Sequence, residues 1–285
     1  MHRIRLSEPV RAARGFTLIE SILVIAVVGI LFAIVAVFIV PPVRAYFATQ
    51  ARAALVDQAD LALRRIARDL RIALPNSTRV SASGRALELI PTAGAARYRT
   101  EGADRLEFGA LDTTFDLIGT PLALAASQQL VFYNLGPGIV GSDAYAANGS
   151  AAEQAVSNRR TSTTAPGTVN SVTMSSLAGL PVAGFAAPHR VFAVDSPITY
   201  RCDLATRTLT RHQGYGFLAA QPDPPAGGNS AVLASGVTGC AFKAESWVVA
   251  ARAGLVSLAL TLTTTTPSGD ESVALHHAVH VDNLP

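Results

Sequence analysis

Arg14-Gly15-Phe16-Thr17-Leu18-Ile19-Glu20, running into the uncharged and almost wholly apolar stretch Ser21 to Val40, decides how the rest of this chain is read. From Phe16 to Val40 the only charge is Glu20. A helix over that stretch, at 1.5 Å per residue, reaches about 37 Å, more than the roughly 30 Å of hydrocarbon in a bilayer. Arg3, Arg5, Arg11 and Arg14 stand against a single Glu8 ahead of it, which places that end in the cytoplasm by the positive-inside rule. A secretory signal has a shorter apolar core with a small-residue cleavage site behind it. Here the small residue, Gly15, comes first, so a cut between Gly15 and Phe16 removes a basic leader, 1–15, and leaves the span, 16–40, in place. Glu20 inside a bilayer costs at least ~2.5 kcal/mol, which marks it as a residue with a partner or a function.

Charge narrows the field of functions. The chain has 23 basic and 20 acidic side chains over 285 residues. Removing the leader's four arginines and one glutamate leaves 19 against 19, so the mature part is formally neutral and nucleic acid is not an expected partner. Cys202 and Cys240 fall in the part that a leader-inside orientation puts outside the cytoplasmic membrane, where a disulfide is the default state of two cysteines. Closing that loop stabilises by roughly 4 kcal/mol on chain-entropy grounds. With no third or fourth ligand nearby, the two cysteines make a poor zinc site.

Beyond the span, Pro41-Pro42 predicts a kink or a short melted stretch, with the helix resuming from about Val43 to Leu74. Leu63, Ile66, Leu70 and Ala73 recur at helical spacing, and Tyr46, Phe47, Gln50 and Ala54 do so less cleanly. Asp60 with Arg64 and Arg65 with Asp69 read as ion pairs on the solvated side. An apolar stripe confined to the lower half of a helix suits it to lie against a sheet. Pro75 ends the segment 41–75.

From residue 76 to 285 the pattern turns to short β runs. Arg79–Ala82 and Ala86–Ile90 flank the turn Ser83-Gly84-Arg85, and further strands are expected at 96–100, 105–108, 115–118 and 129–134. Residues 136–188 read as a long, flexible surface insertion with a short helix near Ala151 to Val156. Strands return at 190–194, 198–203, 206–211, 231–234, 239–243, 254–263 and 272–282, where Val256, Leu258, Leu260 and Leu262 alternate with smaller and polar residues. With no helix of crossover length between strands, the sheet is antiparallel. The fold class is α+β: a long N-terminal helix, half transmembrane and half amphipathic, packed on an antiparallel β-rich ectodomain.

Gly15-Phe16-Thr17-Leu18-Ile19-Glu20 resembles the type IV prepilin signature. In that family a membrane prepilin peptidase cleaves after the glycine and N-methylates the new terminal phenylalanine, and a glutamate five residues into the mature chain meets a neighbour's terminal amine. The resemblance implies that Phe16 is the methylated terminus and Glu20 the assembly acid. Tyr200-Arg201-Cys202-Asp203, Gly214-Tyr215-Gly216, Leu233-Ala234-Ser235-Gly236-Val237, Gly239-Cys240, Arg252-Ala253-Gly254-Leu255-Val256 and His280-Val281-Asp282-Asn283 narrow it. Together with Arg97-Tyr98-Arg99 and Val131-Phe132-Tyr133-Asn134-Leu135-Gly136 they resemble the large minor pilins of the MSHA (mannose-sensitive haemagglutinin) pilus system. They share features with J-type minor pseudopilins of type II secretion. The resemblance implies a pilin-like fold, no enzymatic activity and insertion in the inner membrane with a periplasmic ectodomain before transfer to the pilus. The implied partners are the peptidase, major and minor pilins, the inner-membrane assembly platform and inner-membrane lipid. The alternatives are a secretion pseudopilin and a tip adhesin on a pilin anchor, with 136–188 as its contact surface.

Other signals do not support chemistry. Gly136-Pro137-Gly138-Ile139-Val140-Gly141 matches G-x-G-x-x-G, but Pro137 stiffens it and no amphipathic helix opens behind it, so no cofactor is implied. His276, His277 and His280 sit in a strand pattern, where residues four apart lie about 13 Å from each other, too far to share one ion. Asp143 in its Gly-rich context fits a capped turn better than a calcium loop. No nucleophile elbow, P-loop or H-E-x-x-H pair is present.

Overall fold

The computed structural model describes residues 15–126, 128–245 and 253–284; of the leader expected over 1–15, only Gly15 lies among them. The N-terminal rod is two nearly continuous helices, α1 (Leu18–Phe38) and α2 (Val40–Arg71). The interruption expected at Pro41-Pro42 shrinks to one residue, Ile39, which keeps φ −100 and ψ −41. The Ile39 N–H still donates to the Val35 carbonyl at 3.0 Å, and the Val43 N–H to the Ile39 carbonyl at 3.3 Å. Both prolines fall in the first turn of α2, where a missing donor matters least.

The lower half of α2 is amphipathic as its periodicity predicts: Leu55, Ala59, Ala62, Leu63, Ile66 and Leu70 are buried. The helix stops three residues short of Leu74 because strand-like pairing captures the chain there. The Leu74 N–H donates to the Ile90 carbonyl at 2.7 Å, and the Thr92 N–H to that of Ile72 at 2.8 Å.

The β region opens with β1 (Arg79–Val80), β2 (Ala86–Leu89), β3 (Thr92–Tyr98), β4 (Thr114–Ile118), β5 (Leu122–Leu124) and β6 (Gln129–Phe132). After the short helix α3 (Ala151–Gln154) come β7 (Arg159–Ser162), β8 (Gly167–Val169), β9 (Ser171–Ser175) and β10 (Arg190–Val194). The last third supplies β11 (Ile198–Asp203), β12 (Thr208–Gln213), β13 (Asn229–Ser235), β14 (Val237–Glu245), β15 (Ala253–Thr266) and β16 (Gly269–Asp282). The strand expected at 105–108 does not form; Phe108 makes a single bridge to Leu180.

Three units result. A five-stranded sheet in the order β1-β2-β11-β12-β13 and a three-stranded sheet β14-β15-β16 pack against the apolar side of α2. Leu63, Ile66, Leu70, Tyr200, Leu209, Leu258, Leu260 and Val279 share their core. The Cys202–Cys240 disulfide is formed and ties β11 to β14, cross-linking the two sheets with 6.3 Å between Cα atoms.

The third unit is a closed barrel, β10-β3-β4-β9-β7-β6, with its own core of Tyr98, Phe115, Phe132, Val172, Met174 and Val191. This corrects the reading of 136–188 as a loop-like insertion. That stretch supplies β7 and β9 to the barrel wall and β8 to a small ribbon with β5. Alternation is visible in β9, where Val172 and Met174 face inward, but β7 is Arg-Arg-Thr-Ser and has no apolar pattern.

Arg160 is fully buried, and hydrogen bonding replaces apolar packing there. Its guanidinium donates to the carbonyls of Ser157, Arg159, Gln154, Ala178 and Gly179 at 2.8–3.1 Å and to Ser176 Oγ at 3.0 Å. Burial lowers its pKa to about 10, so it remains charged at neutral pH.

Candidate functional site

The N-terminal rod is the part of the molecule whose surface demands a partner. Thr17 caps α1 from an extended backbone, φ −84 and ψ 153, and its Oγ1 accepts the Glu20 N–H at 3.3 Å. The Ser21 hydroxyl donates back to the Thr17 carbonyl at 3.4 Å. Gly15, Phe16 and Thr17 are therefore outside the helix, with Phe16 76% exposed, an arrangement open to a protease. Glu20 lies in the first turn, where the helix dipole favours a negative charge, and forms no salt bridge with any described residue.

No residue of α1 is buried. The exposed apolar surface runs on past Ile39 through Val43, Tyr46 and Phe47. Among the described residues this is the one helix long and apolar enough to cross a membrane. A continuous apolar surface of this extent belongs in lipid or against other apolar helices.

Residues 10–36 match the prokaryotic N-terminal methylation motif. The match takes in Gly15, Phe16 and Glu20 and gives the chain a type IV prepilin-like N-terminus. That motif implies processing by a prepilin peptidase, membrane anchoring through the apolar helix and assembly with pilins, and it belongs to a structural rather than an enzymatic family. No curated protein and no solved structure matches the chain.

The remaining sequence signals lie in the β region. β16 puts His276 and His280 on its exposed face and His277 on the other. The glycine stretch 136–141 is an irregular turn with Gly136, Gly138 and Gly141 at φ 118, 82 and 78. Asp143 caps it, accepting the Gly138 N–H and the Tyr145 N–H at 2.8 Å each.

Asp60 and Arg64 do pair on the solvated side, at 2.7 Å. Arg65 and Asp69 also pair, at 3.6 Å, but Asp69 is not on the solvated side: it faces the sheet, 4% exposed, where Oδ2 accepts the Tyr200 hydroxyl at 2.6 Å and Arg211 Nε at 3.0 Å. The signal was in the spacing: Asp69 follows Ile66 by three and borders the apolar stripe. A second buried acid, Glu88, accepts from Arg79 Nε at 2.5 Å and from the Tyr215 hydroxyl at 2.7 Å. Burial raises its pKa, with Arg79 and Tyr215 pulling the other way. Both acids fasten structure, Asp69 joining α2 to the sheet and Glu88 joining β2 to the segment after β12.

Proposed function

We propose that this chain is a minor subunit of an MSHA-like type IV pilus. A prepilin peptidase cuts between Gly15 and Phe16 and N-methylates Phe16. The subunit then waits in the inner membrane with its β domains in the periplasm. It leaves the bilayer by laying α1 against the helices of other pilins. Glu20 sets the register by pairing with a neighbour's terminal amine, since a charge buried in the bundle without a partner costs several kcal/mol. The observation that carries this reading is the wholly exposed apolar helix, with one acid in its first turn, on a separately folded β-rich body. The sequence blocks around Cys202 and Cys240 support the MSHA branch.

A minor role rests on bulk: two sheets and an added barrel are harder to repeat along a thin filament than the sheets alone. We place the subunit at the tip or in the initiating complex. Replacing Glu20 with alanine should leave cleavage intact, seen as a mature terminus at Phe16 by mass spectrometry, and abolish incorporation into sheared filaments. Normal incorporation of Glu20→Ala, or a terminus elsewhere than Phe16, defeats the proposal. Stoichiometry equal to the major pilin defeats the minor role. Loss of protein secretion with no surface fibres would assign the same rod to a type II secretion pseudopilin.

A further inference from the structure

The barrel wall carries a like-charge pair that its fold does not need. β3 and β10 are antiparallel neighbours in which Arg97 and Arg190 are direct partners. Ala96, Tyr98 and Val191 point into the barrel, so alternation sends both arginines to its outer face, where both are exposed. Directly opposed residues on antiparallel strands hold their Cβ atoms about 5 Å apart, and like charges there destabilise the sheet.

No compensation is present among the described residues. Neither arginine forms a salt bridge with a described residue. On the adjacent strand β4, the residue opposite Arg97 is Ile118. Asp116, two residues back, is taken by Arg99 at 3.8 Å. The two guanidiniums border a depression of about 350 Å³ floored by Ala95, Ile118, Gly119 and Thr120. Apart from Ile118 the floor carries only small side chains, which leave it open to a ligand, and guanidiniums match the oxygens of a sulfate or carboxylate in bidentate fashion.

We propose that Arg97 and Arg190 form a binding site for an acidic polysaccharide, gripping one sulfate or carboxylate while the sugar lies over Ala95, Gly119 and Thr120. A nucleic acid fits less well. The depression has no aromatic side chain on which a base could stack, and two cations make no groove that tracks a phosphate backbone. The site sits on the inserted barrel, whereas α2 packs on β13, β15 and β16. Its occupancy is therefore read on the chain alone, independently of assembly.

The test uses the mature full chain in non-ionic detergent, with heparin, polygalacturonate, neutral dextran, inorganic sulfate and oligo(dT) as probes. Heparin or polygalacturonate should bind, with Arg97→Gln and Arg190→Gln each weakening binding about tenfold or more. Arg64→Gln, which removes an exposed arginine from α2, should change it less than twofold. Without probe, Arg97→Gln and Arg190→Gln should melt at or slightly above the wild-type temperature, because a repulsion is gone. The inference is overturned if the variants bind like wild type, if Arg64→Gln weakens binding equally, or if either barrel variant melts well below wild type. It is equally overturned if dextran binds as well as the acidic polymers, if oligo(dT) binds more tightly, or if only inorganic sulfate, or nothing, binds.

Discussion

Asp69 is where the helix that carries the membrane span is fastened to the sheet, and Asp69→Ala measures how firmly. Tyr200 is fully buried, and burial first, then the bond to Asp69, raises its phenol above the ordinary value of 10, so it stays a donor at neutral pH. Arg211 Nε lies 3.0 Å from Asp69 and 3.3 Å from the Tyr200 oxygen, with its side chain only 14% exposed. Deleting the carboxylate strands a buried hydroxyl and a mostly buried cation. Breaking such a pair costs about 3–5 kcal/mol; partial access of Arg211 to water points to the lower end, about 3. Asp60→Ala is the internal control, since its pair with Arg64 is exposed and worth about 0.3–0.5 kcal/mol. For a domain of this size 1 kcal/mol moves the melting temperature by about 2–4 °C. Near-UV circular dichroism of the detergent-solubilised chain should therefore show Asp69→Ala down by roughly 6–12 °C and Asp60→Ala down by about 1–2 °C. Asp69→Asn, which still accepts from Tyr200, should fall between them. If Asp69→Ala melts within 2 °C of Asp60→Ala, the helix is not held there and the reasoning fails.

Arg160→Met keeps the aliphatic stem but removes every donor to the five carbonyls around it, so it should destabilise the barrel by about 2–5 kcal/mol; proteolysis within 136–188 no faster than in wild type would contradict this. Replacing Cys202 and Cys240 together with alanine should lower the melting temperature by the equivalent of up to ~4 kcal/mol, and an unchanged temperature would mean the two sheets do not need the cross-link. His212 is pushed down by burial first and by Arg201 second, so its neutral form is favoured in the fold. The stability linked to it is absent below its folded pKa, grows as pH rises, and is complete above the unfolded value near 6.5. His212→Gln should flatten the rise in melting temperature as the pH climbs towards 6.5, and an unaltered slope would remove His212 from the account.

What the sequence made legible followed patterns of period 3.6 and 2. The membrane half of the rod shows in its apolar run, and α2 shows in the spacing of Leu63, Ile66 and Leu70. The last strands announced themselves through Val256, Leu258, Leu260 and Leu262, all buried on one face of β15. The barrel was harder because its closure joins strands far apart in the chain, β10 to β3 and β7 to β6. It also hides its interior chemistry: Arg159 and Arg160 look like a solvated charge cluster, yet both are buried. Arg159 is satisfied by the carbonyls of Ala144 and Ala146 at 2.9 Å, with its guanidinium 4.0 Å from the Phe217 ring centroid. A guanidinium saturated by main-chain carbonyls leaves no trace in hydropathy. The pairing of Arg97 with Arg190 was equally invisible, because residues 93 positions apart become neighbours only through the β3–β10 register.

That register also explains how a sheet built around one helix carries an extra barrel without losing its own order. β2 and β11 are direct partners, with Leu89 opposite Ile198, and the same antiparallel ribbon continues as β3 and β10, with Thr92 opposite Val194. The two ends of the barrel segment, Thr92 and Val194, are therefore held together by strand pairing. The β2–β11 register does not depend on how many residues lie between, since the closure entropy of a longer loop grows only logarithmically. A third, smaller core of Leu74, Ile90, Phe192 and Val194 with Val131, Ala144 and Tyr145 forms where β2 gives way to β3 and β10 to β11. The neck meets the rod at Ile72 and Ala73, the end opposite Leu18, and 54 helical residues at 1.5 Å each separate the two ends by about 80 Å. The exposed apolar end of the rod and the barrel neck are thus placed at opposite ends of the helix, so a substitution in the barrel wall leaves the apolar surface near Leu18 untouched.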